Sequence, residues 1–187
     1  MRLAWIPNAI CFARIALVVP SVVTLLAGHY ELTLVLFGIA AVSDALDGWL
    51  AKHFGWTSRL GKILDPIADK LLLVSVFATL AWLRLVPAWF VVDVVLRDLL
   101  IVGGAAAYHF LIGYLEGHPT PVSKLNTTLQ LSFVLAVIAD AAWHLPAPLM
   151  MALGAAAFVT TVVSGLDYMM TYARAAIRES SRAALGS

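Results

Sequence analysis

Six apolar runs, each near the length of a bilayer crossing, dominate this chain. They extend from Ile10 to Ala27, Leu32 to Ala51, Ile67 to Leu83, Pro87 to Ile112, Val122 to Ala142 and Ala147 to Tyr172. A spanning helix needs about 20 predominantly apolar residues. Within lipid it must also satisfy its own backbone hydrogen bonds, which excludes irregular chain there. The breaks carry turn and interface chemistry: Gly28-His29-Tyr30, residues 52–66, Arg84 to Pro87, Gly113 to Pro121 and His144 to Pro148. Composition agrees, with 62% hydrophobic and 12% charged residues, against roughly 45–50% and 25% in soluble domains. The pattern predicts an all-α integral membrane protein with six transmembrane helices. It forms a single domain over residues 1–187, without internal repeats.

The N-terminus is expected to begin with a short interfacial helix over residues 1–9, with Trp5 at headgroup level. Arg14 interrupts what would otherwise be the apolar core of a signal peptide, so the first run reads as a span. Lys52, Arg59, Lys62, Lys70, Lys124, Arg174, Arg178 and Arg182 flank alternate breaks, whereas the opposite side offers Arg84. The positive-inside rule then places both termini and the 52–66 break in the cytoplasm, with a bacterial inner membrane as the expected location. The net charge of +1 does not bear on a nucleic-acid partner, and none is expected because the basic residues are scattered rather than clustered. The lone Cys11 lies inside an apolar run, which fits a small buried hydrophobe and excludes a disulfide framework.

Against this background, SDALDGWLAKHFGWTSRLGKILDPIADK is anomalous, because it carries Asp44, Asp47, Asp65 and Asp69 beside the hydrocarbon layer. Ionisable groups at membrane depth cost about 2.5–3.5 kcal/mol on insertion scales and mark functional sites by default. Asp44 and Asp47 are three residues apart and Asp65 and Asp69 four, so each pair shares a helix face. Two neighbouring helices would bring the four carboxylates together, and a hard divalent cation such as Mg²⁺, Mn²⁺ or Ca²⁺ would relieve their repulsion. Gly48, Ala51 and Gly61 keep these faces small enough for close approach, and Lys52 adds a cation suited to phosphate. The alternative for Asp65-Pro66 alone is a helix N-cap followed by proline at the first helical position.

The run Asp44-x₂-Asp47-Gly48-x₂-Ala51-Lys52-x₈-Gly61-x₃-Asp65-x₃-Asp69 resembles the signature of the CDP-alcohol phosphatidyltransferases. The departure is Lys52, where the family usually has arginine, so the charge is kept and the bidentate fork lost. The resemblance implies a dimeric six-helix membrane enzyme with a cavity open to the cytoplasm and two divalent cations, Mg²⁺ or Mn²⁺. Asp44, Asp47, Asp65 and Asp69 would hold the metals, and Asp69 would also act as general base. Asp44, Gly48, Ala51, Lys52 and Gly61 would bind the CDP-lipid, CDP-diacylglycerol.

The acceptor alcohol must be chosen elsewhere. Arg97 interrupts the fourth run beside Asp98, with Asp93 one turn earlier, and an intramembrane arginine faces protein or water. Lys124, Asn126, Thr127 and Gln130 form a polar stripe at the start of the fifth run, for which snorkelling and interhelical hydrogen bonds are the alternative reading. Ser123-Lys124-Leu125-Asn126-Thr127 is similar to the S-K-x-N-T of the family branch that uses phosphatidylglycerol and makes cardiolipin. The branch using glycerol-3-phosphate tends to show G-K-x-K-T. A phosphodiester carries one charge, for which a neutral Asn126 suffices, whereas the glycerol-3-phosphate dianion gains from a second cation. Arg97, Lys124 and Asn126 are thus the expected acceptor-binding residues, with phosphatidylglycerophosphate synthesis the near alternative. A non-enzymatic membrane transporter is the rival of another class, but no acidic path crosses the bilayer.

Overall fold

A computed structural model describes the backbone of residues 5–54, 61–111 and 120–185. It describes side chains over residues 10–43, 70–105 and 120–172, with Ala68 and Arg174. Among the described residues the fold is all-helical, without strands: α1 Trp5–Leu26, α2 Tyr30–Phe54, α3 Gly61–Trp82, α4 Ala88–Leu111, α5 Pro121–Trp143 and α6 Ala147–Leu185. Every expected apolar run is a helix, but several ends differ. The separate interfacial helix is not a distinct element from Trp5 onward, because Trp5 opens α1. Pro7 falls in the first turn, where backbone N–H groups have no intrahelical partner anyway, so the helix continues through it. The expected 52–66 break narrows as well, since α2 runs through Phe54 and α3 has begun at Gly61. Asp65 and Pro66 therefore lie inside α3 rather than at its cap, at the expense of one backbone hydrogen bond.

Three turns at one end of the helices are closed by left-handed residues. Gly28 (φ 75°) ends α1. Its N–H reaches the Leu25 carbonyl and the His29 N–H reaches that of Thr24, at 3.1 and 2.9 Å. This paired arrangement satisfies carbonyls that a helix end otherwise leaves open. Arg84 (φ 60°) closes α3 in the same way, through Arg84 N–H to Ala81 and Leu85 N–H to Leu80. His144 (φ 55°) follows α5, and the Asp140 carboxylate accepts the Leu145 N–H at 2.8 Å. Thr120 caps the start of α5 by accepting the Ser123 N–H at 3.2 Å, with Pro121 first in the helix.

The chain divides into two compact units. The first comprises Met1–Val91 and Leu131–Met150, the second Val92–Gln130 and Met151–Ser187. In the first, α1 packs against both α2 and α3. Leu25, Phe37, Val76, Phe77 and Leu80 are fully buried there, and Phe90 bridges Phe77 and Phe133 at ring separations of 5.8 and 5.1 Å. Cys11 is buried as expected. Arg14, on the same helix, is also buried, with 1% of its surface exposed. Two helices are long and apolar enough to cross a membrane among the described residues: Pro121–Trp143 and Ala147–Tyr172. Ile10–Leu26, Tyr30–Ser43 and Lys70–Trp82 are shorter apolar helical segments. Phe12, Val19 and Val23 on α1, and Val159, Leu166 and Met170 on α6, expose large apolar side chains along the helix flanks. Stripes of this kind mark surfaces that meet something other than water.

Candidate active site

Both motif helices are continuous through the acidic stretch. On α2, Asp44, Asp47, Gly48, Ala51 and Lys52 recur at helical spacings of three and four, so they occupy one face. On α3, Gly61, Asp65 and Asp69 are spaced by four and likewise share a face. The side chains of all eight residues lie outside the described residues, so their mutual distances are not among the structural observations. The donor set is a matter of chemistry: clustered carboxylates and a lysine suit a hard divalent cation and a phosphate-bearing ligand.

The acceptor candidates fall in the second unit, and there the side chains are described. Arg97 on α4 is 5% exposed and its guanidinium is held from three directions. Nη1 donates to Asp98 Oδ1 at 2.8 Å, and Nη2 donates to Ser123 Oγ and Ser164 Oγ at 2.6 Å each. Nε donates a further bond to Ser164 at 3.2 Å, and the Tyr168 ring centroid lies 5.9 Å from Cζ. A guanidinium has five N–H donors, so these four bonds leave one Nη1 N–H uncommitted among the described residues. Burial in a low dielectric strengthens each contact and makes loss of the carboxylate costly.

Asn126 is fully buried on α5, where its Oδ1 accepts from the Thr160 and Thr161 hydroxyls of α6 at 3.0 and 2.9 Å. Gln130, one turn on, donates to Thr161 at 2.9 Å. The interhelical hydrogen bonds weighed from the sequence are thus present for Asn126 and Gln130. Asn126 Nδ2, Gln130 Oε1 and Asp93 Oδ2 are buried polar atoms without a hydrogen-bond partner among the described residues. Lys124 is exposed, one residue after Ser123.

Sequence reasoning did not assign Ser164, Tyr168 or Tyr172 to this centre. Their signal is weak, because serine and tyrosine in an apolar helix are unremarkable until a buried cation is placed beside them. Tyr172 packs closely against α4: a Cβ at Gly104 would come within 2.7 Å of its ring, and its hydroxyl donates to the Ile101 carbonyl at 3.2 Å. Arg14 also escaped functional notice, having been read only as the residue that interrupts a signal-peptide core. Its burial on the helix that packs against α2 and α3 puts a cation in the core of the acid-bearing unit.

Comparison with known proteins identifies the lineage. The family model described as CDP-alcohol phosphatidyltransferase matches residues 4–163. The Bacillus subtilis CDP-diacylglycerol–glycerol-3-phosphate 3-phosphatidyltransferase is 32% identical, over 87% of this chain and 92% of its own length. The human cardiolipin synthase (CMP-forming) is 29% identical over 72% of this chain and 50% of its own length. The corresponding Streptomyces coelicolor protein is 29% identical over 67% of this chain and 58% of its own. The chain therefore spans about half the length of these cardiolipin synthases. With a family match across most of its length and the Asp44-to-Asp69 motif seated on two continuous helices, this chain belongs to the CDP-alcohol phosphatidyltransferase family.

Proposed function

We propose that the chain transfers a phosphatidyl group from CDP-diacylglycerol to phosphatidylglycerol, forming cardiolipin and releasing CMP. The observation that carries the reaction class is the complete aspartate signature on α2 and α3, inside the family match. Asp44, Asp47, Asp65 and Asp69 would hold two divalent cations, Mg²⁺ or Mn²⁺, which when bound neutralise the pyrophosphate and stabilise the leaving CMP. Gly48, Ala51 and Gly61 leave room for the nucleotide, and Lys52 supports its phosphates. The acceptor hydroxyl oxygen attacks the phosphorus that carries diacylglycerol. The bond from that phosphorus to the CMP oxygen breaks, and the hydroxyl proton passes to the Asp69 carboxylate.

Arg97 is assigned to the acceptor phosphate through its uncommitted Nη1 N–H, with Lys124 adding charge at the exposed side. Asn126 contributes through Nδ2, its Oδ1 already being occupied. The chain is read as one catalytic domain of six spans, acting as a homodimer in a bacterial inner membrane. The acid-rich ends and both termini then face the cytoplasm. Phosphatidylglycerophosphate synthesis is the second reading, favoured by the long match to the Bacillus subtilis relative. Purified protein in nanodiscs, given CDP-diacylglycerol and Mg²⁺ or Mn²⁺, separates the two. Cardiolipin and CMP are expected with phosphatidylglycerol. Product from glycerol-3-phosphate alone overturns the acceptor while keeping the reaction class, and no CMP with either acceptor overturns both.

A further inference from the structure

Among the described residues of the first unit, Arg14 is the only buried ionisable side chain. A guanidinium does not shed its proton in a protein, so burying it at membrane depth calls for acids at the same level. The register of the helices that α1 packs against decides which acids those are. The Thr33 hydroxyl of α2 donates to the Thr24 hydroxyl of α1 at 2.8 Å, so the two antiparallel helices are level there. Arg14 stands ten residues before Thr24, about 15 Å along the axis, and ten residues beyond Thr33 lies Ser43, next to Asp44. α3 must run back beside α2, because the six residues between Phe54 and Gly61 reach at most about 25 Å and cannot retrace its roughly 37 Å. Asp69 is eight residues after Gly61, between the levels of Asp47 and Asp44, which are seven and ten residues before Phe54. Arg14 therefore shares its level with positions 44 and 69.

These positions also lie on the buried rows of their helices. On α1 the buried residues Cys11, Arg14, Ser21 and Leu25 follow spacings of three, seven and four. On α2, Thr33, Phe37 and Ala40 are buried, and positions 44 and 47 continue that row by four and three. On α3, position 69 precedes the buried Leu72, Leu73 and Val76 by three, four and seven. The unit's acids outside the motif stand at the other end of the helices. Glu31 accepts from Trp143 Nε1 at 3.0 Å, and Asp140 accepts the Leu145 N–H at the turn after α5.

We infer that Arg14 is the built-in countercharge of the aspartate cluster, a positioning residue at the level of Asp44 and Asp69, which rests on the motif aspartates being the cation-binding set. In the metal-free protein it offsets part of the repulsion among the carboxylates and keeps α2 and α3 together on α1. Once divalent cations enter, the same guanidinium is a like charge near them and lowers their affinity. The acidic faces thus stay assembled without metal, and the metals stay exchangeable.

The test uses full-length protein in nanodiscs, stripped with EDTA and titrated with Mn²⁺, whose free fraction is read by EPR. Arg14→Met removes the charge at similar length, and Arg14→Lys keeps it. Arg14→Met is expected to lower the metal-free melting temperature and to bind Mn²⁺ about tenfold more tightly than wild type. Arg14→Lys should return both quantities toward wild type. Adding Asp44→Asn or Asp69→Asn to Arg14→Met should lower the metal-free melting temperature by less than the sum of the single changes. If Arg14→Met fails to fold without metal, Mn²⁺ or the added Asp69→Asn change should restore folding, and rescue by neither overturns the inference. Equal or weaker Mn²⁺ binding by folded Arg14→Met also overturns it and leaves the metal site standing, because a purely structural arginine would not oppose cation binding. Additive losses with both aspartates overturn the pairing as well. A wild-type protein that binds no Mn²⁺ overturns the metal reading, and the role of Arg14 with it.

Discussion

The acid-bearing faces of α2 and α3 and the arginine centre of α4–α6 solve opposite electrostatic problems. The first carries four aspartates, Asp44, Asp47, Asp65 and Asp69, with Lys52 the one basic residue of the same motif. The second buries one cation and surrounds it with an aspartate, two serines and a tyrosine ring until almost every N–H is used. A region left with excess charge is built to receive something, whereas a region neutralised internally is built to stay put. On the function proposed above, the difference separates a chemical site from a positioning one.

The sharpest way to break the comparison is Asp69→Asn. If the acidic faces carry the chemistry, kcat should fall by about 10²–10⁴-fold, as for loss of a general base. Retained affinity for CDP-diacylglycerol in equilibrium binding would identify Asp69 as a base, and equal loss of binding would make it chiefly a metal ligand. Next is Asp98→Asn, which strands the buried Arg97 charge and should cost about 3–5 kcal/mol in reversible unfolding. Replacing both residues by apolar ones, Arg97→Met with Asp98→Leu, should recover most of that stability and none of the acceptor-dependent turnover. Recovery of turnover would reduce Arg97 to a structural residue.

Ser164→Ala removes one acceptor of two Arg97 bonds and should cost about 1.5–3 kcal/mol, with KM for the acceptor rising more than kcat falls. Thr120→Ala should be the mildest, about 1 kcal/mol of stability through the lost cap on α5. An activity loss larger than that stability change would tie the placement of Ser123 and Lys124 to this cap.

The two regions also differ in how far the sequence alone discloses them. Acids at three- and four-residue spacing are legible because a carboxylate in an apolar run has few structural uses, and the long motif around them removes most alternatives. The turns at Gly28, Arg84 and His144 were legible as breaks, since glycine, proline and polar residues interrupt apolar runs there. Arg97 was legible as an anomaly, but its partners were not. Ser123 and Ser164 lie 26 and 67 residues away along the chain, and nothing local marks a hydroxyl as the acceptor of a distant guanidinium. Helix ends misled for a related reason. Polar residues such as Lys52 and Asp65 look like loop, yet the helices continue through them, because an acceptable helix former in water costs little once the helix is nucleated.

The contact between Gly104 and Tyr172 has a practical use beyond its packing. No side chain fits at position 104 unless the ring swings aside and releases the Ile101 carbonyl. Neither residue belongs to the proposed chemistry, so a graded series at position 104 (alanine, then serine, then valine) could loosen this joint by steps. Such a series would supply temperature-sensitive alleles, whose activity at low temperature is intact and whose failure on warming reports how firmly α4 and α6 must be held for turnover.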